Sequence, residues 1–293
     1  MKTREEIKAM SLGLKEATQD ELYVRIESND IEKVKEFLQE YPLQESFYEA
    51  NIKDGTYELF LFRVEYVLAK AAVAYEKYKD PAMIEFLQEW GLRIDYHSKF
   101  ADNALTAYIQ KGGEDEVVIK YLLDKGLTCE KRSDYSGFGW TPMHYWAMHN
   151  NYKALKIAIT KAGANVDVKD EFDETPLFQA VENSPSYKAT QILIEFGANV
   201  NYYAGGYTPL DKARGARNKK LLKDAGAKTS SSREIKKFID ESFLLFGINR
   251  YSREEYDEKY LKLTDEQRSK MSDEMDDYVN KKILEMMSKQ KAK

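Results

Sequence analysis

Apolar residues return every three or four positions in a series of short segments, as on one face of an α-helix. Three regular examples are residues 115–126, 153–163 and 188–197. Each segment ends at a glycine, the residue that helices favour just beyond their last turn because it accepts a left-handed backbone. The pattern predicts a row of helices of similar length, separated by turns.

The same pattern continues in both directions with less regularity. Residues 29–38 and 80–91 have the composition of two further helices, and Gly226 marks one more helix end. Together these segments predict six units ending near residues 41, 91, 126, 163, 197 and 226. The interval between the first two ends is too long for one unit. We therefore expect a lengthened helix or an inserted loop in residues 44–75, around Asp54-Gly55-Thr56.

A second signature keeps step with the first. The Thr-Pro dipeptides Thr141-Pro142, Thr175-Pro176 and Thr208-Pro209 are separated by 34 and 33 residues. Threonine is a good helix N-cap, and proline at the first helical position loses no hydrogen bond that the helix would have made. Two phased signatures at this period predict a stacked helical repeat.

These units resemble the ankyrin repeat, a β-turn followed by two antiparallel helices. The family's T-P-L-H tetrapeptide is present as Thr141-Pro142-Met143-His144, while Phe178 and Asp211 stand at the histidine position of the next two units. The resemblance implies an all-α ankyrin-type α-solenoid of about six helix-pair repeats with short β-turn fingers, spanning residues 1–229. It depends on motifs for residues 139–228 and on periodicity for residues 16–138.

Residues 230–293 carry three S/T-x-x-E/Q capping signals, which start at Ser231, Ser252 and Thr264. They predict helices over roughly 232–246, 253–263 and 265–289. One interpretation is a helical C-terminal cap, since the end of a repeat stack has to be covered. The other is an arm that binds a partner or makes oligomers, which methionine side chains on one helix face would suit.

Composition narrows the function classes. The formal net charge is −5, all of it on residues 1–229, because residues 230–293 contain 14 basic and 14 acidic residues. An acidic chain without a basic stripe argues against nucleic-acid binding. The single cysteine rules out a disulfide within the chain. No apolar run is long enough for a membrane span, and the first residues lack a signal peptide, so a cytoplasmic protein is expected.

Candidate chemistry is sparse. His144 and His149 are five residues apart, which is not the spacing of two metal ligands on one helix face. His144 is expected to be structural, and Cys129 follows a helix C-terminus, where the dipole disfavours a thiolate. The glycine pairs Gly112-Gly113 and Gly205-Gly206 lack the lysine and the spacing of a phosphate-binding loop. We therefore expect no catalysis, no metal and no cofactor.

Turn residues and first-helix ends are the better candidates, because in ankyrin repeats these positions line the concave surface that contacts partners. On this chain they are Phe138, Trp140, Met148, His149, Glu171, Phe172, Glu174, Glu182, Asn183, Tyr202, Tyr203 and Tyr207. Aromatic anchors flanked by acids are typical of protein recognition. The sequence thus favours a recognition module (inhibitor, antidote or adaptor) with an aromatic, acidic surface for a protein partner, whose own surface could be basic. The alternatives are a delivered effector or enzyme-associated protein whose C-terminal helices act on a target found by the repeats, and a structural oligomer.

Overall fold

The computed structural model describes residues 12–40, 64–98, 101–133, 137–182, 187–246 and 263–291. Within these ranges the chain is helical and contains no strand, only an isolated antiparallel bridge between Ala204 and Tyr207. The helices are α1 Leu12–Glu27, α2 Ile31–Glu40, α3 Val64–Tyr78, α4 Ala82–Glu89, α5 Ala104–Gln110, α6 Glu116–Asp124, α7 Pro142–Met148, α8 Tyr152–Lys161, α9 Pro176–Glu182, α10 Lys188–Glu195, α11 Pro209–Lys212, α12 Ala216–Asp224, α13 Arg233–Leu245 and α14 Asp265–Lys291. The predicted all-α helix-pair architecture is confirmed.

The chain divides into two compact units. The first contains residues 1–131 and 160–164, and the second contains residues 132–159 and 165–293. The division predicted from sequence, between residues 229 and 230, concerns a different boundary and stays a prediction.

In the first unit α3 is the central helix and packs against α1, α4, α5 and α6. Its inner face is apolar and fully buried at Val67, Ala71 and Ala74. At 15 residues it is longer than the seven-residue α5. The lengthened helix or inserted loop expected in residues 44–75 stays a prediction, because residues 44–63 lie outside the described ranges. Asp54, Gly55 and Thr56 lie outside the described residues. Cys129 is buried here, and burial raises the pKa of its thiol to about 12, which agrees with an inert cysteine.

In the second unit the first helices α7, α9 and α11 pack in a row, and α10 packs on α12. All three first helices begin at the proline of a Thr-Pro dipeptide, as predicted. The second helix α10 ends as predicted too: Gly197 has a φ of +88°, and the N–H of Ala198 reaches back to the Leu193 carbonyl at 2.9 Å.

The C-terminal helices α13 and α14 pack against each other and match two of the three predicted segments. The predicted helix 253–263 lies outside the described ranges, apart from Leu263. At the start of α14 the predicted capping box forms, because Thr264 and Gln267 exchange side-chain to backbone hydrogen bonds of 2.9 and 3.2 Å. The box predicted at Ser231 is wrong: Ser232 is the N-cap, and Glu234 pairs with Lys228 at 2.7 Å instead.

None of the helices in the described ranges is long and apolar enough to cross a membrane.

Candidate recognition surface

Four aromatic side chains of the second unit form a continuous group, called the aromatic cluster below: Phe138, Trp140, Tyr145 and Phe172. The Phe138 ring stacks on Trp140 with 5.3 Å between centroids and meets Phe172 at 5.7 Å. Tyr145 contacts Trp140 edge-on at 5.3 Å. Phe138 is 46% exposed and Phe172 is 57% exposed, so the cluster presents large apolar rings to solvent. Such exposure of adjoining rings marks a contact surface more often than an isolated exposed side chain does.

The backbone beneath the cluster belongs to two consecutive turns, the first finger (137–141) and the second finger (169–174), which are joined by a backbone hydrogen bond. The N–H of Glu171 donates to the carbonyl of Phe138 at 3.0 Å. Gly139 fits between the fingers because it has no side chain: a Cβ there would lie 2.3 Å from Cγ of Glu171. The rings are therefore carried by a fixed backbone, which lowers the entropy lost when a partner binds.

Asp170 organises the second finger from within. It is 1% exposed, and one carboxylate oxygen accepts the N–H groups of Phe172 and Glu174, both at 2.9 Å. Burial raises the pKa of Asp170 to about 6, against the two backbone hydrogen bonds, the charge of Arg132 and the Trp140 indole, which lower it. The Asp170 carboxylate thus positions the backbone of Phe172 and lies next to the indole of Trp140.

His144 joins the first of these repeats to the second. Its Nδ1 lies 3.2 Å from the backbone nitrogen of Thr141, which can only donate, so Nδ1 is the unprotonated acceptor. The proton is therefore on Nε2, which donates to the carbonyl of Glu174 at 3.0 Å. His144 is fully buried, and burial lowers its pKa to about 4. The structural role expected for this histidine is confirmed.

The same position is filled differently in the other two repeats. Phe178 is fully buried in an apolar cluster with Tyr202 and Ala204. The buried hydroxyl of Thr175 has no hydrogen-bond partner among the residues that the structure describes. In the third repeat the carboxylate of Asp211 accepts the N–H groups of Thr208 and Ser230 at 2.8 and 2.9 Å. Aspartate therefore replaces histidine as the cap and also fixes the start of the C-terminal segment.

The predicted acids are partly neutralised by basic residues that sequence reasoning did not select. Glu182 pairs with Arg214 at 3.5 Å, and Glu174 lies 4.0 Å from Lys212. Lys212 also sits over the Tyr207 ring, with its Nζ 4.6 Å from the centroid. This part of the surface is of mixed charge. Glu171 is exposed next to the aromatic cluster.

Tyr202 and Tyr203 do not contribute to an exposed surface in this structure. They are 8% and 7% exposed, and Tyr203 packs in an apolar cluster with Ile235, Ile239, Val279 and Ile283 of the C-terminal helices. The sequence signal at these positions, aromatic residues in a finger, was the same as for Phe138 and Phe172. Helix α14 accounts for the difference at Tyr203, because Val279 and Ile283 pack against that side chain. Tyr202 is buried instead with Phe178 and Ala204.

The remaining predicted residues are more scattered. Met148 and His149 lie at the C-terminal end of α7, the opposite end from Trp140. Asn183 lies outside the described residues. Sequence reasoning missed Tyr145 and Asp170. Tyr145 directly follows the tetrapeptide and could have been found from its place one turn after Thr141, whereas Asp170 carries no signal without its fold.

Comparison with known proteins identifies the family. A family model described as ankyrin repeats (3 copies) matches residues 70–170 and 146–231. An ankyrin repeat protein of fowlpox virus (strain NVSL) is 25% identical over 145 residues, which are 48% of this chain and 42% of the viral protein. The chain thus spans less than half the length of that relative. Among solved structures, the ankyrin repeat domain of Bcl-3, a member of the IkappaB family, has a TM-score of 0.44 and 21% identity, covering 71% of this chain and 87% of that domain. Because the ankyrin family model covers more than half of the residues, the chain belongs to the ankyrin repeat family.

Proposed function

We propose that this protein is a non-enzymatic recognition module that binds one protein partner through the aromatic cluster and the charged residues around it. Ankyrin repeats are protein–protein interaction modules, which is the general part of the proposal. The specific part is the position of the contact: Phe138, Trp140 and Phe172 on two neighbouring fingers.

The observation that supports this contact position is the exposure of Phe138 and Phe172 on two fingers whose backbones are joined by a hydrogen bond. An exposed ring is unfavourable in water, and full burial of a phenylalanine by a partner is worth about 1.5–3 kcal/mol. Rings that are already fixed lose little entropy on binding, so a large part of this free energy remains as affinity. Rigid aromatic anchors are enriched among residues that dominate interface energies.

The charged residues around the cluster should influence the orientation of a bound partner more than its affinity. Glu171 is exposed at its edge, while Glu174 and Glu182 already lie close to Lys212 and Arg214. A partner with a basic group near Glu171 and an apolar centre would fit this arrangement, since rim charges mainly set the encounter rate and the orientation.

We also propose that α13 and α14 are a cap for the repeat stack. They bury Tyr203 of the third repeat and hydrogen-bond to its backbone, and covering the end of the stack is what a terminal unit has to do. The use of their inner faces in this contact favours the cap over a free effector arm.

The test compares capture of proteins from a lysate of the source cells by the wild type and by the double variant Phe138→Ala/Phe172→Ala. Proteins captured by the wild type should not be captured by the double variant. Once one such partner has been purified, the double variant should bind it with an affinity at least tenfold lower than that of the wild type. Tyr78→Ala, which removes an exposed ring of the first unit (42% exposed), is the matched control and should retain them. Equal binding of the same partner by all three proteins would refute the proposed contact.

A further inference from the structure

Side chains of helix α14 form hydrogen bonds with the backbone of the third finger (202–207). The Asn280 amide accepts the N–H of Tyr203 at 2.7 Å and donates to the carbonyl of Tyr203 at 2.8 Å. One turn earlier on the same helix face, the carboxyl of Asp276 accepts the N–H of Gly205 at 3.0 Å. Below these contacts lie Val279 and Ile283, which pack against Tyr203.

The contact also gathers like charges. Asp276 faces Asp173 from the second finger and has Asp273 and Asp277 beside it on its own helix. The basic group described among these carboxylates is Lys169, whose Nζ lies 3.4 Å from both Asp173 and Asp277. From α13, Glu241 is bound to the Tyr278 hydroxyl at 3.1 Å and to Lys237 at 3.7 Å. The four aspartate carboxylates thus lie around the single charge of Lys169. Ionisation of Asp276, the most buried of the four, adds a repelling negative charge and should weaken this contact.

We infer that pH controls the docking of α14 onto the third finger through the carboxyl of Asp276, so that acidification holds the helix in place and a rise in pH loosens it. The inference depends on the contacts within the second unit and not on the proposed function. It concerns whether the apolar side of Tyr203 is covered, whatever the aromatic cluster binds.

The direction follows from the change in ionisation on docking. Burial is the main cause that raises the pKa of docked Asp276 to about 7, and the neighbouring aspartates add to it, whereas the Gly205 hydrogen bond opposes it. In an undocked, solvated helix the same carboxyl titrates near its ordinary value of about 4. Between these values the docked state binds the proton that the undocked state has lost. Docking therefore weakens as pH rises from about 4 to about 7 and changes little above that.

The experiment is amide hydrogen exchange of the full chain followed by mass spectrometry, at pH 5.5 and pH 7.5. Rates are divided by those of an unstructured peptide standard at each pH, so that protection factors are compared. Peptides from residues 265–291 should be about twentyfold better protected at pH 5.5 than at pH 7.5. Peptides from α7 and α9 report whether the repeats themselves change.

Variants separate the role of Asp276 from a general effect of pH. Asp276→Asn keeps an oxygen for the Gly205 N–H without the charge, so protection of α14 should be high and equal at both pH values. Glu274→Gln, an exposed acid two residues away, should behave as the wild type. Asp173→Asn should reduce the pH difference in part and serves as the readout if Asp276→Asn does not fold. Equal protection of wild-type α14 at the two pH values, or an unchanged pH difference in Asp276→Asn, would overturn the inference.

Discussion

His144 of the first helix α7 donates its Nε2–H to the carbonyl of Glu174, which lies just before the next helix pair, at 3.0 Å. This hydrogen bond requires the neutral imidazole with its proton on Nε2, because Nδ1 accepts from Thr141. One side chain thus caps its own helix and fixes the position of the following repeat. The bond also makes the stability of the second unit depend on pH.

We expect the contribution of His144 to disappear on acidification. Its pKa is lowered from about 6.5 to about 4 on folding, so the unfolded chain binds a proton in this interval that the folded chain does not. The stabilisation is complete above about pH 6.5 and is lost as pH falls toward 4. The free energy of unfolding lost over this interval is about 3 kcal/mol.

Urea unfolding of the wild type and of His144→Phe at pH 7 and pH 4.5 measures this contribution. The difference in unfolding free energy between the two proteins should shrink by roughly 2–3 kcal/mol at the lower pH. The difference between proteins is needed because Asp170, with its raised pKa, acts in the opposite direction below about pH 6. A gap that does not change with pH would contradict a neutral, buried imidazole at His144.

Thr141 and Thr175, two of the three buried threonines that precede the first helices, should respond differently to removal of their hydroxyl groups. The hydroxyl of Thr141 lies 2.9 Å from Nδ1 of His144. That of Thr175 is buried with no hydrogen-bond partner in the described part of the chain, since Phe178 stands at the histidine position and offers none. Thr141→Val should cost about 1 kcal/mol of unfolding free energy. Thr175→Val should be neutral or slightly stabilising, since an unsatisfied buried hydroxyl is itself unfavourable. Chemical denaturation curves of both variants decide this, and equal losses would show that the Thr141 contact contributes nothing.

Gly139 should be more sensitive to substitution than its neighbour Gly137. Both have a left-handed backbone, with φ of +61° and +64°, but only at Gly139 would a Cβ collide with Glu171. Both changes to alanine cost about 1–2 kcal/mol for the backbone conformation. Gly139→Ala should cost about 1 kcal/mol more, because overpacking displaces the Glu171 side chain. Thermal unfolding gives the comparison, and an equal effect at both glycines would argue against close contact of the two fingers.

Asn280 should matter for docking of α14 out of proportion to its size. Replacing it with leucine removes both hydrogen bonds between this side chain and the buried backbone of Tyr203, at a cost of about 1–3 kcal/mol for each bond lost. Hydrogen exchange of residues 265–291 should accelerate at least tenfold, while α7 and α9 keep their protection. Lys281→Leu, at the exposed neighbouring position, is the control and should leave exchange unchanged.

Local chemistry made several features predictable from the sequence. Thr141-Pro142 and Thr208-Pro209 mark helix starts because capping and proline geometry involve only neighbouring residues. Gly197 marks a helix end for the same reason. The spacing of such local signals also predicted the repeat fold, since each unit is one helix pair that packs on the next.

Exposure and charge at the candidate surface were decided by tertiary structure. Phe172 and Tyr203 are both finger aromatics in sequence, yet Phe172 is 57% exposed while Tyr203 is covered by a helix that begins at residue 265. Glu182 was predicted as an acid of the concave surface, and in the structure it is paired with Arg214, 32 residues later. Sequence alone was sufficient to place the starts of α7, α9 and α11 and the end of α10, because those signals act over a few residues. Which side chains remain open to a partner depended on packing between distant segments, which no local pattern encodes.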